Sequence, residues 1–373
     1  MRLNIKLILL FLFTLALSVQ VLAQGNKLIK LMPVPAKFEV MDAKFRVDKN
    51  FGISVTGKPD MRIYPYASRA LRRLSGRTGL FFRQDMITPA CDEDTLQMNI
   101  SIKKAGKVIL GENESYSINI SDNKVSLSAE TEIGAMRGLE TLLQLLSVDE
   151  SGYYFPSIRI EDRPRFNWRG IMIDVARHFM PVDVIKRNID AMAAVKMNVL
   201  HLHLSDNQGV RVESKLFPKL QQLASDGDFY TQEQIKDIVA YADARGLRVI
   251  PEFDIPWHTT AWFAAYPELA SAPGPIKIER RWGVFDPVFN PAIEATYSFF
   301  DKFFGEMAVL FPDEYFHIGG DEGTNKEWNA NKDIQDFMQA EKDIEQIIKC
   351  KTLPEPVKKK FCRKCSYFDL CYI

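Results

Sequence analysis

From about Phe166 onward the chain repeats one unit: a short apolar run, a loop, then a stretch with helical periodicity. Residues 170–174, 198–204, 247–253 and 314–318 read as strands. Residues 181–196, 231–245 and 291–310 read as the helices between and beside them. Pro181-Val182-Asp183 opens the first helix. Thr231 is placed to cap the second, with Gln234 as its capping-box partner, and Gly246 to end it. Strands alternating with helices specify a parallel sheet with helices packed on it. About four β/α units are visible, where a closed β/α barrel needs eight.

The preceding segment follows another pattern. Around Phe45, Gly52, Met98, Tyr116 and Lys124, short runs alternate apolar and polar residues with period two, which predicts a sheet with one buried face. Residues 66–75 and 132–146 follow the helical period; Ala135, Leu139, Leu142, Leu143 and Leu146 share a face. This part holds no reactive cluster and reads as structural support. The fold class expected is α/β: an incomplete (β/α)8 TIM-type barrel of about four units, preceded by a small α+β domain.

Polar groups recur where the barrel strands end. Arg177 follows the first, Asp206 the second, Asp254 and His258 the third, and Asp321 with Glu322 the fourth. Parallel strands bring such ends to one mouth. Gly319 and Gly320 permit a sharp turn before the carboxylate pair. Adjacent carboxylates in one water-poor site resist double ionisation, so one is expected to have its pKa raised, as a general acid requires. Singly, these residues have ordinary readings: Asp206 or Asp254 as a helix cap, the acidic pair as a solvated turn. His201 and His203 share a strand face and could be a metal pair. No third ligand has suitable spacing, which favours hydrogen bonding inside the barrel.

Four motifs in order resemble the family 20 glycoside hydrolases, the β-N-acetylhexosaminidases. They are Glu161-Asp162-Arg163-Pro164-Arg165-Phe166 through Asp174-Val175-Ala176-Arg177-His178-Phe179; His201-Leu202-His203-Leu204-Ser205-Asp206-Asn207; Pro251-Glu252-Phe253-Asp254-Ile255-Pro256-Trp257-His258; and His317-Ile318-Gly319-Gly320-Asp321-Glu322. Gly134-Ala135-Met136-Arg137-Gly138 is similar to that family's non-catalytic domain. The resemblance covers roughly residues 30–340. It departs at Trp257, where the family usually has Gly, and at Asn207, which stands for a second Asp. Nothing after Ala340 resembles the family's later barrel strands, with their pocket tryptophans and acetamide-binding Tyr.

The resemblance implies hydrolysis of terminal non-reducing N-acetylhexosamine from β-linked glycans by a retaining, substrate-assisted route. Glu322 is then the acid and later the base, and Asp321 holds the acetamido group. Arg177 binds sugar hydroxyls, His258 tunes Glu322 with Asp206 behind it, and Asp254 supports the network. No cofactor and no metal are implied; the partner is a carbohydrate, an N-acetylhexosaminide in a glycoconjugate or chitooligosaccharide. The alternative is an inactive, truncated or chimeric fragment with at most weak sugar binding, because a half barrel leaves strand edges unpaired.

Composition narrows the rest. A formal net charge of +0 argues against wholesale binding of nucleic acid or an anionic membrane. Arg2 and Lys6 precede an apolar run from Leu7 to Val19, and Val21-Leu22-Ala23 offers a cleavage site, so residues 1–23 read as a removable leader. The product is expected to be exported, periplasmic or secreted, with no membrane contact after cleavage. The remaining divisions are 24–160, 161–342 and 343–373. The last is basic and holds Cys350, Cys362, Cys365 and Cys371, leaving Cys91 alone in the body. Its end resembles the C-terminal cysteine cluster of CRISPR-associated RecB-like exonucleases, which implies iron–sulfur ligation by Cys362, Cys365 and Cys371. Three readings stand: a chimera joined near residues 340–345, a zinc site on the four tail cysteines as in a nuclease-type metal-binding tail, or incidental cysteines in a disordered segment.

Overall fold

The computed structural model describes residues 29–84, 87 and 96–349. The leader, Cys91 and the tail cysteines Cys350, Cys362, Cys365 and Cys371 lie outside the described residues, together with the expectations placed on them. Among the described residues no helix is long and apolar enough to cross a membrane.

The first elements are β1 (Lys37–Arg46), β2 (Ile53–Gly57), α1 (Ile63–Thr78), β3 (Met98–Lys104), β4 (Tyr116–Ile120), β5 (Val125–Thr131), α2 (Glu132–Leu145), β6 (Ser147–Asp149) and β7 (Gly152–Asp162). Their strands form one sheet in the order β1-β7-β4-β5-β3-β2, with β6 on β7. The period-two pattern selects the covered face: Ile100, Ile118, Ile120, Val125 and Leu127 are buried, while Ser117, Asn119 and Ser128 at intervening positions are exposed. Helices α1 and α2 contribute to the same core. Close approach explains Gly138 on α2, where an added Cβ would fall 2.3 Å from Leu127 Cδ1 of β5.

The second series is β8 (Gly170–Asp174), α3 (Val182–Ala194), β9 (Val199–Asp206), β10 (Gly209–Val210), α4 (Lys219–Leu223), α5 (Gln232–Asp243), β11 (Arg248–Phe253), α6 (Thr260–Ala265), α7 (Glu294–Leu310), α8 (Lys326–Ala330) and α9 (Lys332–Lys349). Strand β9 lies between β8 and β11 and carries β10 antiparallel at its end. The capping box at α5 forms in both directions: Thr231 N donates to Gln234 Oε1 at 2.9 Å, and Gln234 N to Thr231 Oγ1 at 3.2 Å. Gly246 follows with φ +69°, the left-handed turn that glycine favours.

The expected fourth strand is a correction. Residues 314–318 do not form a strand; they make one parallel bridge, Glu252 to His317. Three backbone hydrogen bonds attach the segment, from Phe253 N to His317 O, His317 N to Pro251 O and Ile255 N to Ile318 O. Among the described residues nothing ladders to its other edge. Gly319 and Gly320 then turn the backbone away at φ +64° and +90°.

The chain divides into two compact units. One comprises residues up to Ile173 with Met180–His201 and Lys236–Ile250. Within it Glu114 receives Arg137 Nε and Arg169 Nη2, each at 2.6 Å, and Asn198 Nδ2 at 3.1 Å. Arg137 Nη2 also donates to Gly246 O at 2.6 Å. The sheet domain thereby holds the entries to β9 and β11. The other unit comprises Asp174–Phe179, Leu202–Ile235 and the residues from Pro251 onward. An aromatic core fills it. Phe303 of α7 meets Phe253 and Trp262 with ring centroids 5.0 Å apart in each case. Each such buried ring stabilises by about 1.5–3 kcal/mol.

Candidate active site

The strand ends assemble the site within the second unit. At the end of β8, Asp174 Oδ1 accepts the backbone N–H groups of Ala176 and Arg177, both at 3.0 Å. Its Oδ2 accepts Arg177 Nη1 at 2.8 Å. The guanidinium is thus aimed, and its Nη2 reaches Asp206 Oδ2 at 2.6 Å. A fork held by two carboxylates keeps a fixed direction.

Asp206, at the end of β9, is fully buried and surrounded by cations. His203 Nε2 lies 3.0 Å from its Oδ2, and His258 Nδ1 3.4 Å from its Oδ1. Burial alone would raise its pKa, but His203, His258 and Arg177 outweigh burial and hold it at about 2. His203 lies between two acids, with Glu252 Oε2 2.8 Å from its Nδ1. Burial would discharge that imidazole; Asp206 and Glu252 instead raise its pKa to about 10. His203 therefore belongs to a buried ion network, in agreement with the hydrogen-bonding reading of the sequence.

Asp254, just after β11, has the perturbed carboxyl. It is buried, and its pKa rises to about 7, chiefly from burial with Asp321 adding to it, against the Gly320 N–H and His258. Asp254 Oδ1 accepts Gly320 N at 3.0 Å, so it also clamps the turn that leads to the Asp321–Glu322 pair. Gly319 is required there: an added Cβ would fall 1.9 Å from Asp254 Oδ1, at a φ of +64°.

His258 joins the interior to the rim. Its pKa is raised, first by its hydrogen bond to Asp206 and against burial. Its Nε2 lies 3.2 Å from Glu322 Oε2. Both residues adopt positive φ, +56° and +58°, conformations that non-glycine residues hold only when the surroundings fix them. The Glu322 side chain is 60% exposed, so the line Asp206–His258–Glu322 runs from a dry interior to water.

The structure brings together all six residues selected from the sequence: Arg177, Asp206, Asp254, His258, Asp321 and Glu322. It adds Asp174, His203 and Glu252, which the sequence reading left without these roles. The acid at Asp174, three residues before Arg177, was the available signal. Asn207 Nδ2 lies 3.2 Å from His258 Nδ1, and its Oδ1 accepts Thr260 N at 3.2 Å, so the residue sits between two loops. Trp257 packs its indole where a Cβ on Gly323 would fall 2.0 Å from its Cε2, and meets Trp328 at 5.4 Å between centroids. The departure at Trp257 therefore shapes the loop carrying Glu322. By proximity, His258, Asp321 and Glu322, or Asp206, Asp254 and His258, or His201, Glu252 and His317, could gather around a cation, and the last group gives His201 the further candidate ligands that sequence spacing did not show. The second set has already committed contacts to Arg177, His203 and Gly320, which fits acid–base work better.

The strand ends of a β/α sheet thus present an aimed guanidinium and a carboxylate backed by a His–Asp pair. Residues 166–366 match the model of the glycosyl hydrolase family 20 catalytic domain, and residues 31–145 match the model described as beta-acetyl hexosaminidase like. The chain belongs to glycosyl hydrolase family 20. A beta-hexosaminidase of Porphyromonas gingivalis is 35% identical over 329 residues, covering 82% of this chain and 40% of that protein. The chitobiase of Flavobacterium johnsoniae superposes with a TM-score of 0.82 at 49% identity, over 84% of this chain and 48% of that one. An exo beta-N-acetylglucosaminidase of Vibrio harveyi, solved with N-acetylglucosamine, gives 0.69 at 30% identity, over 84% and 50%. The chain thus spans about 40–50% of the relatives it matches. These neighbours give the fold as α/β, a TIM-barrel-type catalytic domain preceded by a small domain.

Proposed function

We propose that this site removes terminal β-linked N-acetylglucosamine or N-acetylgalactosamine from glycans, with retention of configuration. The observation that carries the reading is the continuous line from Asp206 Oδ1 through His258 to Glu322 Oε2, spaced 3.4 and 3.2 Å. Glu322 gives its proton to the glycosidic oxygen as the bond to the anomeric carbon breaks. The acetamide carbonyl oxygen of the same sugar attacks that carbon and closes an oxazolinium ring, with Asp321 accepting a hydrogen bond from the acetamido N–H. Glu322 then removes a proton from the water that reopens the ring. A tethered nucleophile has an effective molarity on the order of 10⁵ M or more, so the protein need only hold the sugar in place. Arg177 binds its hydroxyls, and Asp254 supports the network by holding the turn at Gly320. The Vibrio harveyi relative's bound N-acetylglucosamine supports the same choice of sugar, and the leader at residues 1–23 supports work outside the cytoplasm.

The test compares two p-nitrophenyl glycosides. The N-acetylglucosaminide is expected to release nitrophenol and the plain glucoside not to, because the nucleophile belongs to the acetamide. Equal rates on both would contradict the mechanism. A second reading, sugar binding without turnover, is favoured by one observation: a carboxyl 60% exposed is not enclosed as a general acid usually is. Binding of N-acetylglucosamine with no release from the arylglycoside would select it.

A further inference from the structure

We propose that His317 is a positioning residue for the Asp321–Glu322 pair: its imidazole Nδ1 accepts the Gly319 N–H and so holds the turn that aims both carboxyls. The proposal rests on the hydrolase reading above for what the pair does. Gly319 N donates to His317 Nδ1 at 3.1 Å, and Asp254 Oδ1 takes the next amide, Gly320 N, at 3.0 Å. Two successive amides of one turn are thus held by side chains from two segments. The turn needs holding, because Gly319, Gly320 and Glu322 all have positive φ, at +64°, +90° and +58°. Glycine leaves such conformations readily, and a glutamate keeps one only when its surroundings fix it.

His317 is itself anchored from behind. Glu252 Oε1 lies 3.0 Å from the same Nδ1, Glu252 Oε2 2.8 Å from His203 Nδ1, and His203 Nε2 3.0 Å from Asp206 Oδ2. Asp206 therefore reaches the acidic pair by two routes. One runs through His258 to the Glu322 side chain; the other runs through His203, Glu252 and His317 to the backbone that precedes it. The first route directs the proton, and the second directs the carboxyl that carries it. One ring nitrogen cannot accept from Gly319 and donate to Glu252 at once. A hydrogen on Nδ1 would turn to the carboxyl and release the turn, so the lone pair must face Gly319.

The test uses the full chain, isotope-labelled at the isoleucine carbonyl and the glycine nitrogen. Only Gly134 and Gly319 are then visible by NMR, because Ile133-Gly134 and Ile318-Gly319 are the two Ile-Gly pairs of the sequence. Asparagine at 317 keeps an acceptor close to the place of Nδ1, whereas leucine keeps only bulk. His317→Leu is expected to move the Gly319 amide proton upfield, with Gly134 unmoved as the sign of a folded chain, and His317→Asn to return it most of the way. His317→Ala serves the same comparison if leucine prevents folding. On p-nitrophenyl N-acetylglucosaminide, kcat should fall about tenfold or more in His317→Leu while KM changes by less than about twofold, and His317→Asn should recover to within about threefold of the parent. Equal amide shifts in the two variants would place the hydrogen on Nδ1, facing Glu252, and overturn the proposal; so would a released amide with kcat unchanged. The resonance reports the turn with or without turnover, so a parent silent on the arylglycoside would count against the hydrolase reading alone.

Discussion

Around Glu114 two arginines and an asparagine close on one buried carboxylate, and Arg137 spends a further donor on Gly246 O. Around Asp206 the same kinds of group assemble, but the chain of contacts leads outward, through His258 to an exposed Glu322. In the first cluster Arg137 and Arg169 overcome burial and lower the Glu114 pKa, leaving a fixed charge that joins structural elements. In the second, burial raises the Asp254 carboxyl to about 7, where it exchanges its proton near neutral pH, and the contact with Asp206 raises His258 as well. Burial and pairing alone do not separate a structural cluster from a chemical one. An open end and a pKa near the working pH do.

Breaking the closed cluster should have the largest effect. Glu114→Ala leaves Arg137 buried without its carboxylate and should cost about 3–5 kcal/mol in denaturant unfolding. A loss under about 1 kcal/mol would show that the cluster is not a tie. At the open end the expected pattern reverses: Glu322→Gln should lower turnover by about 10²-fold or more while changing stability by less than about 0.5 kcal/mol. A change in melting alone would place Glu322 among structural residues. Gly319→Ala sharpens the contrast, because its methyl would collide with Asp254 Oδ1. It should cost about 1–3 kcal/mol by urea titration and also reduce turnover, since Asp254 must shift.

A further contrast concerns pH. An Asp254 carboxyl that titrates near 7 folded and about 3.9 unfolded binds more protons in the native state between those values. Its contribution to stability therefore falls as pH rises through that window. Asp254→Asn should flatten the fall, so melting temperatures of variant and parent should diverge as pH rises from about 4 to 7. Parallel curves would remove Asp254 from the account.

Local chemistry was readable in the sequence where a few neighbouring residues decide the outcome. The Thr231–Gln234 capping box and the Gly246 turn need only their own segments. The six site residues were readable because a β/α repeat places strand ends together. Strand β7 was not, because Pro156 interrupts an otherwise alternating run; in the sheet it pairs opposite Lys44, beside the irregular stretch of β1. The segment at 314–318 has strand composition, yet a ladder depends on a partner that composition cannot supply. Glu252 escaped for a related reason: its role arises from meeting His203 across two strands at 2.8 Å, a pairing that neither strand announces.

The connection between His258 and Glu322 is most directly tested by a double-mutant cycle on turnover of an N-acetylglucosaminide, using His258→Asn, Glu322→Gln and the pair. If the imidazole works through the carboxyl it faces, the double variant should be scarcely slower than Glu322→Gln alone. Losses that simply multiply would mean that the two side chains act independently, and the line from Asp206 to the rim would carry no chemistry.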